Sequence, residues 1–332
     1  MSVDRKSIAI LGAGAWGTAL AIQAANLGHA VFLWAYELQQ IHEVNTQHYN
    51  SRYLPNVCLS SNIICSHDIE QVVRRADLVC IATPSAVFRQ IVCRIQPFLQ
   101  QRSIAWVTKG LEPDTHQWLH EVVVRELGEI EVAVLSGPSF AREVASNIVT
   151  AVMLASSSSE FARVVRDYFQ SAHFLIYISH DVIGVELGGA IKNVLAIALG
   201  IVDGLGLGAN TRAAFITFGL AEMLRLGVAL GAQTETLLGL SGCGDLILTC
   251  TDDQSRNRRF GIALGQSMSI QQAKEQVASV VEGIETSAGI FYWLQKKVIS
   301  APICDTVYRI LYQGLPVQAL LQCLNTMQHV DF

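Results

Sequence analysis

The chain has 332 residues, more than one hydrophobic core usually organises, so we expect two domains. Hydrophobic residues make up 51% of the chain and charged residues only 15%, a composition that excludes an intrinsically disordered protein. The net charge of −5 gives no overall attraction to nucleic acid or to an anionic membrane, so neither is an expected partner.

The N-terminus and the cysteines predict a cytoplasmic protein. MSVDRK leads directly into a β-prone segment, without the apolar core and cleavage site of a signal peptide. The eight cysteines show no CxxC or Cys/His spacing, so we expect free, buried thiols and no metal site. The longest apolar runs are cut by Lys192 and Asp203 before the ~20 residues that cross a bilayer, so no membrane span is predicted.

A glycine motif begins the chain. The β-prone segment Ser7–Leu11 is followed by GAGAWG and then by apolar residues at helical spacing. In such a motif Gly12 permits a tight turn, Gly14 lets a pyrophosphate approach the backbone, and Gly17 lets the helix pack on the strand. The pattern predicts dinucleotide binding, with a purely structural glycine turn as the alternative.

The second predicted strand, residues 30–35, ends at Tyr36 and Glu37. Glu37 stands close to the ~20-residue spacing at which an acidic side chain binds the adenosine ribose 2′-hydroxyl. It could equally be a solvated residue after the strand, and Arg52 could favour a 2′-phosphate instead. The choice between NAD and NADP stays open.

Further apolar strands indicate a doubly wound α/β domain with a mostly parallel sheet covered on both faces. In such sheets the ligand lies beyond the carboxyl ends of the strands. Lys109 ends one strand, where its ammonium could meet a phosphate or a carbonyl oxygen, or could simply be exposed. Gly137 and Ser139 follow another, where they could bind an anion or cap a helix. The predicted strands are residues 78–83, 104–109, 132–137, 150–155 and 174–179.

After residue 180 the strand signal ends and helices take over, so we predict a dinucleotide-binding domain at 1–180 and an all-α substrate domain at 181–332. Lys192 interrupts an apolar helical stretch, residues 184–204. A buried ammonium costs several kcal/mol unless it is paired, neutralised or beside a polar cavity. Gly188 and Gly189 leave room beside Lys192 for a ligand or for another backbone; the alternative is that the head of Lys192 reaches solvent.

A loop-rich segment, residues 240–261, carries the remaining polar candidates. Asp245 follows two glycines, and Ser255 is a good N-cap for a helix that begins with Arg256 and Asn257. A guanidinium and an amide at a helix N-terminus suit a phosphate group. The alternatives are a solvated face or a nucleic-acid patch, which the neighbouring acids argue against. Glu282 is either a further site residue or a capping carboxylate.

Together these motifs resemble the bacterial NAD(P)-dependent glycerol-3-phosphate dehydrogenase family along nearly the whole chain. The resemblance implies reduction of dihydroxyacetone phosphate to sn-glycerol 3-phosphate with NADH or NADPH, which supplies glycerophospholipid synthesis. The motifs that carry it are GAGAWGTALA at 12–21, RYLP at 52–55, TKGLE at 108–112, SGPSFA at 136–141, GGAIKNVLAIALG at 188–200, GDLILTCT at 244–251, SRNRRFG at 255–261 and VVEG at 280–283.

The resemblance also implies roles for individual residues. Lys192 becomes the catalytic acid/base. We expect burial, Lys109 and Arg256 to lower its pKa and Asp245 to oppose them. Two alternatives remain: a related hydroxy-acid or 3-hydroxyacyl dehydrogenase, and a dinucleotide-binding regulatory protein without turnover. A homodimer is expected from the apolar helical half.

The resemblance assigns substrate binding to Lys109, Gly137, Ser139, Lys192, Asp245, Ser255, Arg256 and Asn257. Cofactor binding is assigned to Gly12, Gly14, Ala15, Trp16, Gly17, Tyr36, Lys109, Ala141, Arg256, Val280 and Glu282.

Overall fold

The computed structural model describes residues 6–100 and 103–326, with side chains described as far as residue 323. Its contacts divide the chain into two units. The first comprises the described parts of Met1–Thr108 and His120–Val182, and the second comprises Lys109–Leu119 and the described residues from Ile183 onward. The boundary between residues 180 and 181 stays a prediction; in the structure, Lys109–Leu119 groups with the helical unit.

The first unit is built on an eight-stranded sheet, with the strand order β3-β2-β1-β4-β5-β6-β7-β8. Neighbouring strands are parallel except β6 and β7. The predicted doubly wound, mostly parallel sheet is therefore confirmed, and β1 and β4 lie side by side where the strand order reverses. The strands are β1 (Ser7–Leu11), β2 (Ala30–Trp34), β3 (Ile63–Ser66), β4 (Leu78–Ile81), β5 (Ile104–Trp106), β6 (Val132–Ser136), β7 (Thr150–Ala155) and β8 (Phe174–Ser179).

Helices follow the strands and bury their apolar sides against the sheet. The central strands β1 and β4 are buried almost throughout, as expected for strands covered on both faces. Strand β8 instead alternates, with Tyr177 53% exposed, so the expectation of a fully covered sheet is wrong at this edge. The helices are α1 (Ala15–Asn26), α2 (Leu38–Gln47), α3 (Ile69–Arg74), α4 (Ser85–Leu99), α5 (Leu119–Leu127), α6 (Ala141–Ala145) and α7 (Ser159–Asp167).

Among the described residues of the second unit, the regular secondary structure is entirely helical and surrounds one central helix, α8 (Val182–Gly204). All residues of α8 from 184 to 202 are buried. The predicted helical domain is thus confirmed as a fold. The remaining helices are α9 (Gly208–Leu230), α10 (Thr234–Leu238), α11 (Asp245–Thr251), α12 (Arg256–Gly265), α13 (Ile270–Val277), α14 (Glu282–Lys297), α15 (Pro302–Gln313) and α16 (Ala319–Thr326), with a π-helical turn at Leu240–Gly244.

Glycines let α8 and α12 cross at backbone contact. A Cβ added to Gly200 would lie 2.1 Å from the Arg258 carbonyl oxygen, and one added to Gly261 would lie 2.2 Å from that of Ile197. No side chain fits at such distances, so each glycine is a packing requirement. The crossing fixes the first turn of α12, which carries Arg256, against α8, which carries Lys192.

Two helices have the length and hydropathy of membrane spans. Helices α8 and α9 each have 23 residues, with mean hydropathies of 1.7 and 1.6. The charged residues that interrupt these helices therefore do not take them below the length and mean hydropathy of a span. In α8, 89% of the most apolar window is buried inside the protein, which is typical of a core helix. The corresponding share for α9 is 33%.

The cysteines are free, as the sequence predicts, but not all are buried. Cys58 and Cys93 are exposed and Cys243 is half-buried. The prediction of uniformly buried thiols is wrong because Cys58 lies in a loop and Cys93 lies on an exposed part of α4.

Candidate active site

Lys192 lies in the middle of α8, with only 7% of the residue exposed. Its ammonium nitrogen donates to Asp245 Oδ1 at 2.7 Å and to Thr249 Oγ1 at 2.8 Å. Burial lowers the pKa of Lys192 to about 8, Asp245 opposes that change, and Lys109 adds to it. The expected causes are present except Arg256. The exposed-head interpretation is wrong, because the amine is turned into the protein and paired.

Asp245 joins two ammonium groups. It is 1% exposed and begins α11. Oδ1 accepts from Lys192, and Oδ2 accepts from Lys109 Nζ at 2.6 Å. Thr249 lies one helical turn further along α11, so its hydroxyl faces the same carboxylate. We call Lys109, Lys192, Asp245 and Thr249 the lysine–carboxylate cluster; formally it holds two positive charges and one negative charge.

Glycines place Asp245 by letting backbones approach. A Cβ on Gly188 would lie 2.4 Å from the Ser241 carbonyl oxygen, and one on Gly242 would lie 2.0 Å from that of Leu237. The π-helical turn before Asp245 is therefore packed directly on α8. The sequence left open whether Gly188 makes room for a ligand or for another backbone, and the structure shows backbone.

The N-terminus of α12 forms the second part of the site. Ser255 is the N-cap, and its hydroxyl accepts from the Arg258 backbone N–H at 3.2 Å, as predicted. Arg256 is exposed, with its guanidinium 3.5 Å from the Val280 carbonyl oxygen. Arg256 is thus available to bind an anion at the positive end of the helix.

The side chain of Asn257 forms hydrogen bonds to α8 and to the start of α14. The side-chain Nδ2 of Asn257 donates to Asn193 Oδ1 at 2.9 Å, and its side-chain Oδ1 accepts from the Gly283 backbone N–H at 2.9 Å. These contacts leave the Asn193 Nδ2 buried without a hydrogen-bond partner among the described residues. A buried donor without a partner is costly, so this nitrogen is a candidate to donate to a ligand.

Arg258 has a structural role that its neighbours do not share. It is 8% exposed, and its Nε and Nη2 donate to Asp203 Oδ2 at 3.0 and 2.6 Å. Arg212 pairs with the other oxygen of Asp203 at 2.6 Å. Arg256 and Arg259 remain exposed. The cluster of arginines is thus neither a uniform solvated face nor a nucleic-acid patch, since its middle member is buried and paired.

Val280 and Glu282 precede and begin α14. Val280 is 54% exposed. Burial raises the pKa of Glu282, while the nearby cations Arg256, Lys109 and Lys192 oppose that rise. Glu282 is thus a second carboxylate in the field of the same cations, and its assignment to the cofactor stays a prediction.

The glycine turn of the first unit has the geometry that a dinucleotide requires. Gly12 has φ +127°, and a Cβ on Gly17 would lie 1.9 Å from the Gly12 carbonyl oxygen, so both serve the turn itself. A Cβ on Gly14 would meet nothing within 4 Å. Helix α1 begins at Ala15 with no side-chain cap. Open space beside uncapped N–H groups is what a pyrophosphate needs, so the residues fit the cofactor.

The other predicted residues of the first unit lie near the carboxyl ends of the strands. Gly137 has φ +145°, and the backbone carbonyl oxygen of Gly137 accepts from Ser139 Oγ at 2.9 Å. Helix α6 begins at Ala141 with Phe140 as its N-cap, so the alternative that Ser139 caps this helix is wrong. Trp16 and Tyr36 follow β1 and β2, and Tyr36 is 84% exposed. The roles of these residues stay predictions.

Family models match both units. The N-terminal model of NAD-dependent glycerol-3-phosphate dehydrogenase matches residues 7–162, and the C-terminal model matches 181–322. The chain belongs to the NAD-dependent glycerol-3-phosphate dehydrogenase family. It is accordingly an NAD(P)-dependent oxidoreductase with a Rossmann-like dinucleotide-binding domain, and the alternative of a regulatory protein without turnover is set aside.

Named relatives agree over nearly the full length. Glycerol-3-phosphate dehydrogenase [NAD(P)+] of Legionella pneumophila (strain Paris) is 47% identical over 93% of this chain and 94% of the relative. That of Halorhodospira halophila is 45% identical over 98% of both. The crystal structure of glycerol-3-phosphate dehydrogenase from Coxiella burnetii superposes with a TM-score of 0.93 at 44% identity, covering 96% of this chain and 98% of that one.

Two side chains of this site carry no role that the sequence predicts. Thr249 lies four residues after Asp245, a spacing that would have placed both on one helix face. Asn193 stands beside Lys192 as a second polar residue in an apolar run, and its amide has an unsatisfied donor. The periodicity of the sequence indicates that Asn193 is buried. It does not distinguish a structural hydrogen bond to another side chain from binding of the substrate.

Proposed function

We propose that this enzyme reduces dihydroxyacetone phosphate to sn-glycerol 3-phosphate, reversibly, with Lys192 as the general acid/base. The observation that supports this most is the buried amine of Lys192, whose pKa lies near 8 and whose partners are Asp245 and Thr249. A general acid is most effective when its pKa lies near the working pH. The product would feed glycerophospholipid synthesis.

The chain's own residues handle the proton. When bound, a reduced nicotinamide would supply the hydride that C2 of the ketone accepts. As that carbonyl oxygen gains negative charge, the ammonium of Lys192 donates a proton to it. Asp245 keeps the amine protonated before the step, while burial and Lys109 make the proton easier to release. An ammonium has three N–H donors, and the contacts to Asp245 and Thr249 use two, which leaves one for the substrate.

Binding of the substrate phosphate would position the reacting carbon of the substrate. We assign it to Arg256 at the start of α12, with Ser255 and Asn257 holding that turn in place. The unpaired Asn193 Nδ2 is a further donor for a substrate oxygen. Binding energy from the phosphate would hold C2 at reacting distance, so it raises turnover as well as affinity. Gly137 and Ser139 stay predicted substrate ligands.

The test compares two ketones. Purified enzyme is mixed with NADH or NADPH and either dihydroxyacetone phosphate or dihydroxyacetone, and the loss of reduced cofactor is followed by absorbance. We expect rapid loss with the phosphorylated ketone and a far slower loss without the phosphate. Equal rates with both ketones would contradict the assignment of a phosphate-binding group.

The rate of reduction should fall as the pH rises through about 8, where burial has placed the pKa of Lys192. The reason is that reduction needs the ammonium form, whereas oxidation of glycerol 3-phosphate needs the neutral amine and should rise over the same interval. The measurement is kcat/KM in both directions from pH 7 to pH 10. Profiles that are flat in both directions would show that no such group controls the reaction.

Two glycine variants should separate cofactor binding from folding. Gly14→Ala places a methyl group in open space at the N-cap of α1, so stability should fall by no more than about 1 kcal/mol while NADH affinity falls about tenfold or more. Gly17→Ala forces a Cβ against the Gly12 carbonyl oxygen and should cost about 1–3 kcal/mol of unfolding free energy. Urea denaturation and NADH titration check both. Equal NADH affinity in Gly14→Ala and wild type would refute the phosphate cradle.

We further propose a cytoplasmic homodimer. Helix α9 supports the dimer, since it is strongly apolar and only 33% of its most apolar window is buried inside the chain. Large apolar surfaces in enzymes are commonly covered by a second subunit. Light scattering after gel filtration should give twice the chain mass of 36.2 kDa. A monomer at micromolar concentration would reject this assignment.

A further inference from the structure

The carboxylate of Glu37 lies where β2 ends and is held by two neighbours. Its Oε2 forms an ion pair with Arg52, and its Oε1 accepts from the Tyr53 hydroxyl at 3.2 Å. Glu37 occupies the N-cap position of α2, yet its side chain makes no capping hydrogen bond. The carboxylate is therefore directed toward Arg52 and Tyr53 instead of toward its own helix.

The loop that carries Arg52 and Tyr53 is fixed to the glycine turn. Asn50 is fully buried, and its amide donates to the Ala13 carbonyl oxygen at 2.9 Å and to Thr18 Oγ1 at 2.7 Å. Gln40, from α2, donates to the same carbonyl oxygen and to Asn50 Oδ1. These bonds connect α2, whose N-cap residue is Glu37, and the loop that carries Arg52 and Tyr53 to the turn that would receive the pyrophosphate.

From this arrangement we infer that Glu37 makes the enzyme select NAD(H) over NADP(H), with Arg52 as the residue that positions the carboxylate. The inference rests on dinucleotide binding by the proposed dehydrogenase. A ribose 2′-hydroxyl donates to a carboxylate at this place in Rossmann domains. A 2′-phosphate carries about −1.5 to −2 charge and would meet the carboxylate as a like charge.

Arg52 does not offset this repulsion while it is paired with Glu37. To bind a 2′-phosphate, the guanidinium of Arg52 would have to break its ion pair with the Glu37 carboxylate. Side chains of Arg52 and Glu37 are 65% and 37% exposed, so the pair is accessible to a nucleotide. Tyr36, beside Glu37, offers a ring and a hydroxyl in place of a second cation.

The test measures binding in the absence of triose. NADH and NADPH are titrated into the purified protein, and dissociation constants are obtained by calorimetry. We expect NADH to bind at least about tenfold more tightly than NADPH, and Glu37→Gln to reduce that ratio about tenfold by freeing Arg52 for the phosphate. In Glu37→Gln/Arg52→Gln the gain in NADPH affinity should disappear. Glu70→Gln, which removes another exposed carboxylate paired with an arginine, is the matched control and should leave the ratio unchanged.

Two results would overturn the inference. Tighter binding of NADPH by the wild type, lost in Arg52→Gln, would make Arg52 a 2′-phosphate ligand. A ratio that Glu37→Gln does not change would show that the carboxylate takes no part in selection. Because no ketone is present, either result leaves the proposed reduction of dihydroxyacetone phosphate untouched, and failure of that reaction would leave the binding result valid.

Discussion

Lys192→Met should lower the rate of dihydroxyacetone phosphate reduction by about 100- to 10,000-fold, the range for loss of a general acid. Methionine fills a similar volume in the buried helix α8 and lacks the proton. The variant should still bind NADH with wild-type affinity, since Lys192 is not among the residues assigned to cofactor binding. Stopped-flow absorbance measures the rate and calorimetry measures NADH binding.

Lys297→Met is the control for this variant. Lys297 is an exposed lysine in the last turn of α14, so its replacement removes a charge from the same unit without touching the lysine–carboxylate cluster. The control should keep wild-type turnover. If Lys192→Met also kept it, the acid/base assignment would be rejected.

Asp245→Asn should remove the carboxylate that both Lys109 and Lys192 bind. The two ammonium groups would then lose the carboxylate that both of them bind, and breaking such a buried pair costs about 3–5 kcal/mol. The pKa of Lys192 should fall further, because the partner that raises it is gone. We expect reduction at pH 8 to slow at least about tenfold and the midpoint of the pH profile to move to lower pH.

The pH profile distinguishes an electrostatic role of Asp245 from a purely structural one. A structural role predicts loss of activity at an unchanged midpoint, whereas removal of the counter-charge predicts a lower midpoint. Asp114→Asn replaces an exposed carboxylate of the same unit and should leave both stability and midpoint unchanged. An unshifted midpoint in Asp245→Asn would contradict the assigned link between Asp245 and Lys192.

Much of the fold could be predicted because its signals are local. The glycine motif after β1, the run of apolar strands and the change to helical periodicity after residue 180 each depend on neighbouring residues. Strand β3 was missed because it has four residues and alternates exposed with buried positions. A short edge strand of this kind gives little periodic signal.

The partners within the site could not be predicted from spacing. Lys109 and Asp245 are 136 positions apart, and Asn193 and Asn257 are 64 apart, so only the tertiary fold brings them together. Ser255 as an N-cap was predictable because capping is local. The buried pair of Arg258 and Asp203 was not, because among three neighbouring arginines the sequence does not tell which one faces inward.

Chemical rescue of a Lys192→Ala variant by small primary amines tests directly whether the buried amine is the proton donor. The variant lacks both the proton donor and the side-chain volume, so methylammonium or ethylammonium can enter the space beside Asp245. We expect these amines to restore reduction of dihydroxyacetone phosphate in a saturable way, and the restored rate to follow the ammonium form as the pH rises. Uncharged alcohols of the same size should restore nothing. Activity that is lost but restored equally by alcohols, or not restored by any amine, would contradict the role of the buried amine as proton donor.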